Sequence, residues 1–568
     1  MSQNDSCCIV CSRGLYSCHW THSSTSKRKH ACFWFSVVAL VSLLSLFWMY
    51  ICLITFNDRE DVNWEGFTKL KRWVNWFMVL IILSAVLTSY CVLLLLFALV
   101  QVALREPLSL HWLHKIFLFF GVIFVALGVT GISLKWPQEW PIVPLSLQAT
   151  APFLQFGAVG ALTLLSLFVF KGFHLSKEKW SKFLIVMIFV VVSAAIFLCP
   201  LCIKSPCLID STKLPDKPKL IGHRGAPMLA PENTMMSFER SIKCGVTAFE
   251  TDVQLSKDRI PFLMHDHTSG FLRRTTNVKE KFPNKDFSLS TNLTWEELQS
   301  LNAGEWFLKT DPFHSVSELS EEEKKTARNQ TIPSLLQLLN LAEQHNISVI
   351  FDLYSPDQKN DTVDIVNTIL DSGIDRNRVF WLPPAEREYV IKTVPGFIQV
   401  YNNESEIPNE RRDHLNVKYS KFSTEEIREH RRKNVTVNLW VVNERWLFSL
   451  LWCAGASSVT TNSCHLLKDM DRPDWVMAPL TYLIIWITVD IVSILIMTGL
   501  FLFQRKVHCF CHRRGTERQR NITSALNGRE LCPFLTTSSL TDSSRIFFCH
   551  KTDRQNGLDL NQEESKLM

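Results

Sequence analysis

The chain has 568 residues but no Walker-type phosphate loop, no Gly-x-Gly-x-x-Gly fingerprint and no Ser-His-Asp ordering, so nucleotide-dependent and serine-hydrolase chemistry find no support. Its basic residues are not interleaved with aromatics, and the net charge of +6 sits largely beside apolar runs, which argues against a nucleic-acid surface. Cysteine is sparse where a disulfide scaffold would need it. Of 17 cysteines, only Cys207, Cys244, Cys453 and Cys464 lie in or beside the long polar segment, enough for two bridges at most. A segment of that length can bury a core of its own and does not depend on them.

Long apolar stretches, by contrast, are plentiful. Six runs, at 31–56, 75–104, 116–134, 149–170, 183–203 and 475–503, each supply the roughly 20 residues that a membrane-crossing helix requires. The first follows a polar tail and is too long for a cleavable leader, so it is expected to remain as a signal anchor. Lys27, Arg28, Lys29, Arg105, Lys115, Lys171, Lys177, Lys179, Lys182, Arg505, Lys506, Arg513 and Arg514 fall on one side of the resulting topology. Only Arg59, Lys69, Lys71, Arg72 and Lys135 fall on the other, which predicts that both termini are cytoplasmic.

The expected organisation is a cytoplasmic tail at 1–30, five transmembrane helices over 31–208, an extracellular or lumenal domain at 209–471, a sixth transmembrane helix at 475–503 and a cytoplasmic tail at 504–568. Such a protein is multi-pass and belongs in the plasma membrane or the secretory pathway. Glycosylation acceptors at Asn292, Asn329, Asn346, Asn360, Asn403 and Asn434 all fall in the outer segment, where they can be used. In the N-terminal tail, Cys8-x-x-Cys11 with Cys18 and His19 matches no standard zinc spacing, and juxtamembrane acylation fits those thiols as well.

Within the outer segment, short apolar strands alternate with amphipathic helical stretches. "KLIGHRG", "TAFETDV", "IPFLMHD", "SVIFDL", "RVFWLP", "FIQVYN", "VNLWVVN" and "SSVTTN" read as strands, and Leu335, Leu338, Leu339 and Ala342 fall at helical spacing. Repeated strand–helix–strand order predicts an α/β fold, a parallel (β/α)8 TIM barrel set between the fifth and sixth membrane helices. A polar insertion covers 268–330, and "HLNVKYS" at His414 reads either as a ninth strand or as a loop.

Barrel enzymes keep their chemistry at the C-terminal strand ends. Those ends carry His223 and Arg224, Glu250 and Asp252, His265, Asp352, and later Trp440 and Asn443. Glu250 and Asp252 are two apart on a strand and so share a face; with Asp352 they form an oxygen donor set for a hard divalent ion. His223 and His265 suit a general acid–base pair, with His267 as a rival for the acid, and Arg224 suits phosphate oxygens. A metal, a cation and two histidines together fit phosphodiester cleavage.

"HRGAPMLAPENT", "FETDVQLSKDRIPFLMHD", "RRTTNV", "LNAGEWF", "IPSLLQLL", "LWVVN" and "SVTTN", in this order, resemble the glycerophosphodiester phosphodiesterases, and the placement of the apolar runs is similar to that of the family's six-transmembrane branch. The resemblance implies a (β/α)8 barrel and hydrolysis of a glycerophosphodiester such as glycerophosphoinositol or glycerophosphocholine, or of a GPI-linked lipid. It implies His223 and His265 as the acid–base pair, Glu250, Asp252 and Asp352 as ligands of Ca2+ or Mg2+, and Arg224 as a phosphate ligand. It also implies, as in several relatives, a first attack by the neighbouring glycerol hydroxyl that gives a cyclic phosphate.

This chain departs from the family pattern in three places. Asp352-Leu353-Tyr354 stands where the family has Glu-x-Lys, Val441 replaces a threonine, and Asn462 replaces an aspartate. A catalytically weak membrane protein that binds or signals is therefore the alternative reading. Transport is disfavoured, because Asp490 is the only ionisable residue well inside a run.

Overall fold

The computed structural model describes residues 14–17, 31–55, 60–70, 72, 74–104, 108–176, 178–265, 269–287, 289, 292–353, 358–407 and 414–527. His267, Tyr354 and the N-terminal Cys8, Cys11 and Cys18 lie outside the described residues. Two compact units are formed, one from Met1–Val159 with Ala195–Asp490, the other from Gly160–Ala194 with Ile491–Met568.

Among the described residues six helices are long and apolar enough to cross a membrane: Phe33–Ile54, Trp76–Val102, Trp112–Lys135, Pro137–His174, Lys179–Cys202 and Pro479–Val507. The fourth begins well before the expected 149, because Ile142–Leu175 is one continuous helix through Pro152. A proline is tolerated inside such an apolar helix when neighbouring groups satisfy the freed carbonyl. The last helix runs on to Asn527, past the apolar run. In the second unit the hydroxyls of Thr163 and Ser493 lie 2.7 Å apart and Phe501 stacks on His174.

The first unit holds the barrel. Its strands are β1 (Lys219–His223), β2 (Ala248–Leu255), β3 (Pro261–Leu263), β4 (Ser348–Leu353), β5 (Val379–Trp381), β6 (Ile398–Tyr401), β7 (His414–Lys418), β8 (Thr436–Trp440) and β9 (Ser458–Thr461). Eight of them, all but β3, pair in parallel, and β1 closes the ring by pairing with both β2 and β9. The expected barrel is therefore present, with one exchange of strands. "HLNVK" is the barrel strand β7, whereas the "PFL" of "IPFLMHD" runs antiparallel to β2 as a hairpin partner outside the ring. Both segments are short and apolar, and nothing within a strand's own residues specifies its neighbour.

Inward positions Ile221, Ala248, Ile350, Leu382 and Val400 make an apolar plug, and a larger cluster packs the outer strand faces against the surrounding helices. The β7–β9 side of the interior is polar, where Asn438 Nδ2 donates to Asn416 Oδ1 at 2.7 Å and to Thr460 Oγ1 at 2.8 Å. Both possible disulfides form, Cys207–Cys453 and Cys244–Cys464. The chain enters and leaves the barrel side by side: Leu208 and Met477 form a parallel bridge, and Met477 N–H donates to Cys207 O at 3.1 Å. Lys418 Nζ lies 3.6 Å from Glu139 Oε1, and Thr424 Oγ1 donates to Gln148 Oε1 at 3.1 Å, so the N-terminal end of the fourth long helix meets the barrel.

Candidate active site

Strand alternation carries polar groups directly above the plug. Ile221 and His223 share a face on β1, as do Ala248, Glu250 and Asp252 on β2, and Ile350 and Asp352 on β4. His223 is the register partner of Glu250, and Asp252 that of Asp352. Four of the six residues expected at the site are thus placed by β-pairing alone.

The turn after β1 explains the His-Arg-Gly order. Arg224 and Gly225 both adopt left-handed backbone, φ 53° and 87°, and a Cβ at Gly225 would lie 2.5 Å from Ser237. This reversal lets the Arg224 N–H donate to Glu250 O at 2.8 Å and turns its guanidinium back over the mouth. Arg224 Nε lies 3.2 Å from Asp252 Oδ2, and Nη1 lies 3.5 Å from Glu232 Oε2. Asn233, also left-handed, donates from Nδ2 to Asp252 Oδ2 at 3.3 Å, and Thr234 caps the helix Met235–Lys243.

His223 Nδ1 is 2.5 Å from Asn462 Oδ1, and its Nε2 is 3.8 Å from Glu250 Oε2, beyond hydrogen-bond reach. An amide oxygen can only accept, so Nδ1 carries the proton and Nε2 does not. Burial, aided by the Arg224 charge, pushes this imidazole down to about 3 against the opposing Asn462 bond.

His265 does not end a barrel strand, as expected, but reaches the mouth through the hairpin. With Val253 opposite Leu263 and Met264 N–H donating to Asp252 O at 3.0 Å, the antiparallel return brings His265 back toward the C-terminal end of the ring. Its ring packs 4.3 Å from that of Phe271 in the helix Ser269–Thr275. Burial first, then Arg224 and His223, push it down to about 2. Both imidazoles are accordingly neutral at physiological pH.

Glu250 is pushed well up by burial, then by the Asp252 charge, with Arg224 opposing; burial also raises Asp352. Among the described residues no three His, Cys, Asp or Glu side chains are drawn closely enough together to hold an ion, so the expected ligand set is not assembled here. The Asp252 Oδ2 atom is engaged by Arg224 and Asn233. In kind, the donors still fit a hard cation: three carboxylates on adjoining strands, two of them register partners, whose buried charges repel without one.

Pattern reading did not single out Glu232 or Arg274. Arg274 Nη2 is 3.2 Å from Glu232 Oε1 and its guanidinium lies 4.1 Å from the Phe271 ring, so the insertion supplies a second cation beside Arg224. Both residues sit off the barrel strands, where periodicity carries no signal. The six sequon asparagines are all exposed.

Residues 223–382 match the model of the glycerophosphoryl diester phosphodiesterase family. The chain is 42% identical over 526 residues to human glycerophosphoinositol inositolphosphodiesterase GDPD2, covering 91% of this chain and 96% of that protein. It is 39% identical to chicken glycerophosphodiester phosphodiesterase domain-containing protein 5, over 88% of this chain and 84% of the relative. Glycerophosphodiester phosphodiesterase domain-containing protein 4, which five apolar runs before the domain and one after it suggest, is also among the relatives, at 34% identity in mouse over 88% of this chain and 85% of that protein. A solved glycerophosphoryl diester phosphodiesterase from Silicibacter pomeroyi aligns at 17% identity and TM-score 0.38, covering 48% of this chain and 98% of that one. With whole-length relatives at this identity and a family model that starts at His223 itself, the chain belongs to the glycerophosphoryl diester phosphodiesterase family and is a phosphoric diester hydrolase.

Proposed function

We propose that this protein hydrolyses a water-soluble glycerophosphodiester, glycerophosphoinositol foremost, on the non-cytoplasmic side of a membrane. One observation carries the mechanism: the bond from His223 Nδ1 to Asn462 Oδ1 leaves Nε2 as a bare acceptor at the barrel mouth. His223 is then the general base. It takes a proton from the attacking hydroxyl, the neighbouring glycerol hydroxyl or water, as the new P–O bond forms. The P–O bond to the departing alcohol breaks, and that oxygen takes its proton from His265. Attack by water gives the phosphomonoester directly; attack by the glycerol hydroxyl gives a cyclic phosphate, which water then opens as His265 takes the water's proton and His223 returns its own to the departing glycerol oxygen, so that overall diester and water give a phosphomonoester and an alcohol.

Arg224 grips the phosphate oxygens. Once its charge is matched by the substrate, part of the repulsion that depresses His265 is relieved, and His265 can carry the proton that it must donate. Glu250, Asp252 and Asp352 would hold Ca2+ or Mg2+, which supplies positive charge to the phosphoryl oxygens. Glycerophosphoinositol is favoured over glycerophosphocholine and GPI-linked lipid because a relative aligned over 91% of this chain is named for it. The two disulfides and the exposed sequons support a domain outside the cytosol, with both termini inside.

The test is release of product from glycerophosphoinositol and glycerophosphocholine, and of a GPI-anchored reporter, by the intact protein in membranes, beside His223→Ala and Glu250→Ala. Turnover lost in both variants is expected. Turnover unaffected by either removes the proposed machinery.

A further inference from the structure

The candidate acid and the candidate phosphate ligand meet on one aromatic ring. Phe271, in the helix Ser269–Thr275, lies 4.3 Å from the His265 ring at an interplanar angle of 34°, and the Arg224 guanidinium lies 5.2 Å from the same ring. Backbone bonds to β2, from Met264 N–H to Asp252 O and from Arg224 N–H to Glu250 O, bring both residues to the mouth. They do not fix where an imidazole or a guanidinium points, because side-chain torsions remain. A flat ring in contact with both does.

Phe271 is itself held from several directions. Its side chain packs on the apolar core of the insertion, a cluster that includes Leu272, Val278 and Leu298. The Arg274 guanidinium lies 4.1 Å from the Phe271 ring and 5.7 Å from that of Trp306, whose indole N–H donates to Ala303 O at 2.9 Å. Arg274 is fixed in turn by Glu232: Nη2 donates to Oε1 at 3.2 Å, and the Arg274 side chain is only 5% exposed. The other oxygen, Glu232 Oε2, accepts from Arg224 Nη1 at 3.5 Å. The contacts close a circuit in which Glu232 ties the two guanidiniums, both guanidiniums lie against Phe271, and His265 rests on Phe271. Only a planar, forked cation serves the ring and the carboxylate together.

We infer that Phe271, held by Arg274, is the rest against which His265 is aimed at the departing oxygen, so that the insertion outside the barrel ring governs protonation of the leaving group. Both are positioning residues, acting through His265. The inference rests on the phosphodiesterase reading above, with His265 as its acid, and adds what aims that acid. Proton transfer needs heavy atoms about 2.6–3.2 Å apart, so an imidazole free to tilt loses the step.

The leaving group reads that step directly. An alkoxide departs poorly without a proton, whereas a nitrophenolate departs well without one. The full chain in detergent would be assayed for kcat/KM on glycerophosphoinositol and on para-nitrophenyl glycerophosphate, as wild type, His265→Ala, Phe271→Leu and Arg274→Met. Because kcat/KM extends only to the first departure of a leaving group, the later opening of a cyclic phosphate does not enter it. Both substrates are read on one preparation, so unfolded protein cancels in their ratio, as does any weakening of the Arg224 grip on the phosphate that they share. The ratio of alkyl to aryl kcat/KM should fall about 100-fold or more in His265→Ala and roughly 10- to 100-fold in Phe271→Leu and in Arg274→Met. A wild-type ratio in either of the last two, beside a collapsed one in His265→Ala, overturns the positioning role and leaves the hydrolase reading intact. An unchanged ratio in His265→Ala removes His265 as the acid and this inference with it, while turnover itself still shows a hydrolase. A wild type that turns over neither substrate refutes both readings.

Discussion

His223 and Asn462 are joined by a 2.5 Å hydrogen bond between Nδ1 and Oδ1, a neutral acceptor orienting a neutral imidazole. Removing the acceptor with Asn462→Leu frees the ring to take the other tautomer, and kcat should fall by about 10- to 100-fold, the range seen for groups that orient a functional histidine. Asn462→Asp should instead favour the imidazolium and raise the His223 pKa from its value of about 3. A base must be unprotonated, so the acid limb of the kcat/KM profile should move to higher pH. An unmoved limb would show that His223 is not the titrating base.

Asp252 and Asp352 stand opposite each other on β2 and β4, the first buried and the second partly buried. Activity should disappear on chelation and return with Ca2+ or Mg2+. Asp352→Asn should raise the divalent concentration needed for half-maximal rate by about tenfold or more while leaving the unfolding temperature near wild type. Full activity in excess chelator would remove the ion from the mechanism.

Glu323 pairs with Arg240 and also accepts from Ser320, contacts that hold its carboxyl down at about 2, with the Arg240 bond the largest cause. A depressed carboxylate stabilises the fold above its ordinary value of 4.5, and that contribution fades as pH falls toward about 2. Because the side chain is about a third exposed, solvent screening keeps the effect to about 1 kcal/mol or less. Glu323→Gln should lower the unfolding temperature at pH 6, and the difference from wild type should narrow by pH 3. A gap constant with pH would mean that the packing of the helix Glu321–Arg328, not the ion pair, is what the substitution disturbs.

All six sequon asparagines are exposed, among them Asn346 and Asn434, which sit at left-handed turns. Treatment with an amide-cleaving glycosidase should shift the protein to lower mass, and progressive Asn→Gln substitution should remove the shift in steps. No shift in protein expressed in mammalian cells would place the barrel on the cytosolic side and reverse the topology.

The ring of parallel strands was legible because its apolar runs alternate with amphipathic helices, and the catalytic candidates were legible because strand ends are where a barrel displays them. Glu250 and Asp252 could be placed on one face by counting in twos, with Asp352 coming from another strand. The exchange of "PFL" for "HLNVK" as a barrel strand was not legible, since it depends on which edge each strand meets in space. Glu232 and Arg274 were silent for a related reason: loops and insertions reach the mouth through tertiary contacts that no period encodes. His265 was read at the end of a barrel strand, whereas the strand before it lies outside the ring as the partner of β2.

The paired entry and exit of the barrel has a mechanical side. Leu208 and Met477 lie side by side, and Cys207, next to the first, is covalently fixed to Cys453 on the helix Arg445–Ala454. A domain hung on one flexible linker would swivel and present its opening in every direction. A doubled and cross-linked stem denies it that rotation, so the opening keeps a constant bearing on its stem, and a solute must approach along the same heading each time.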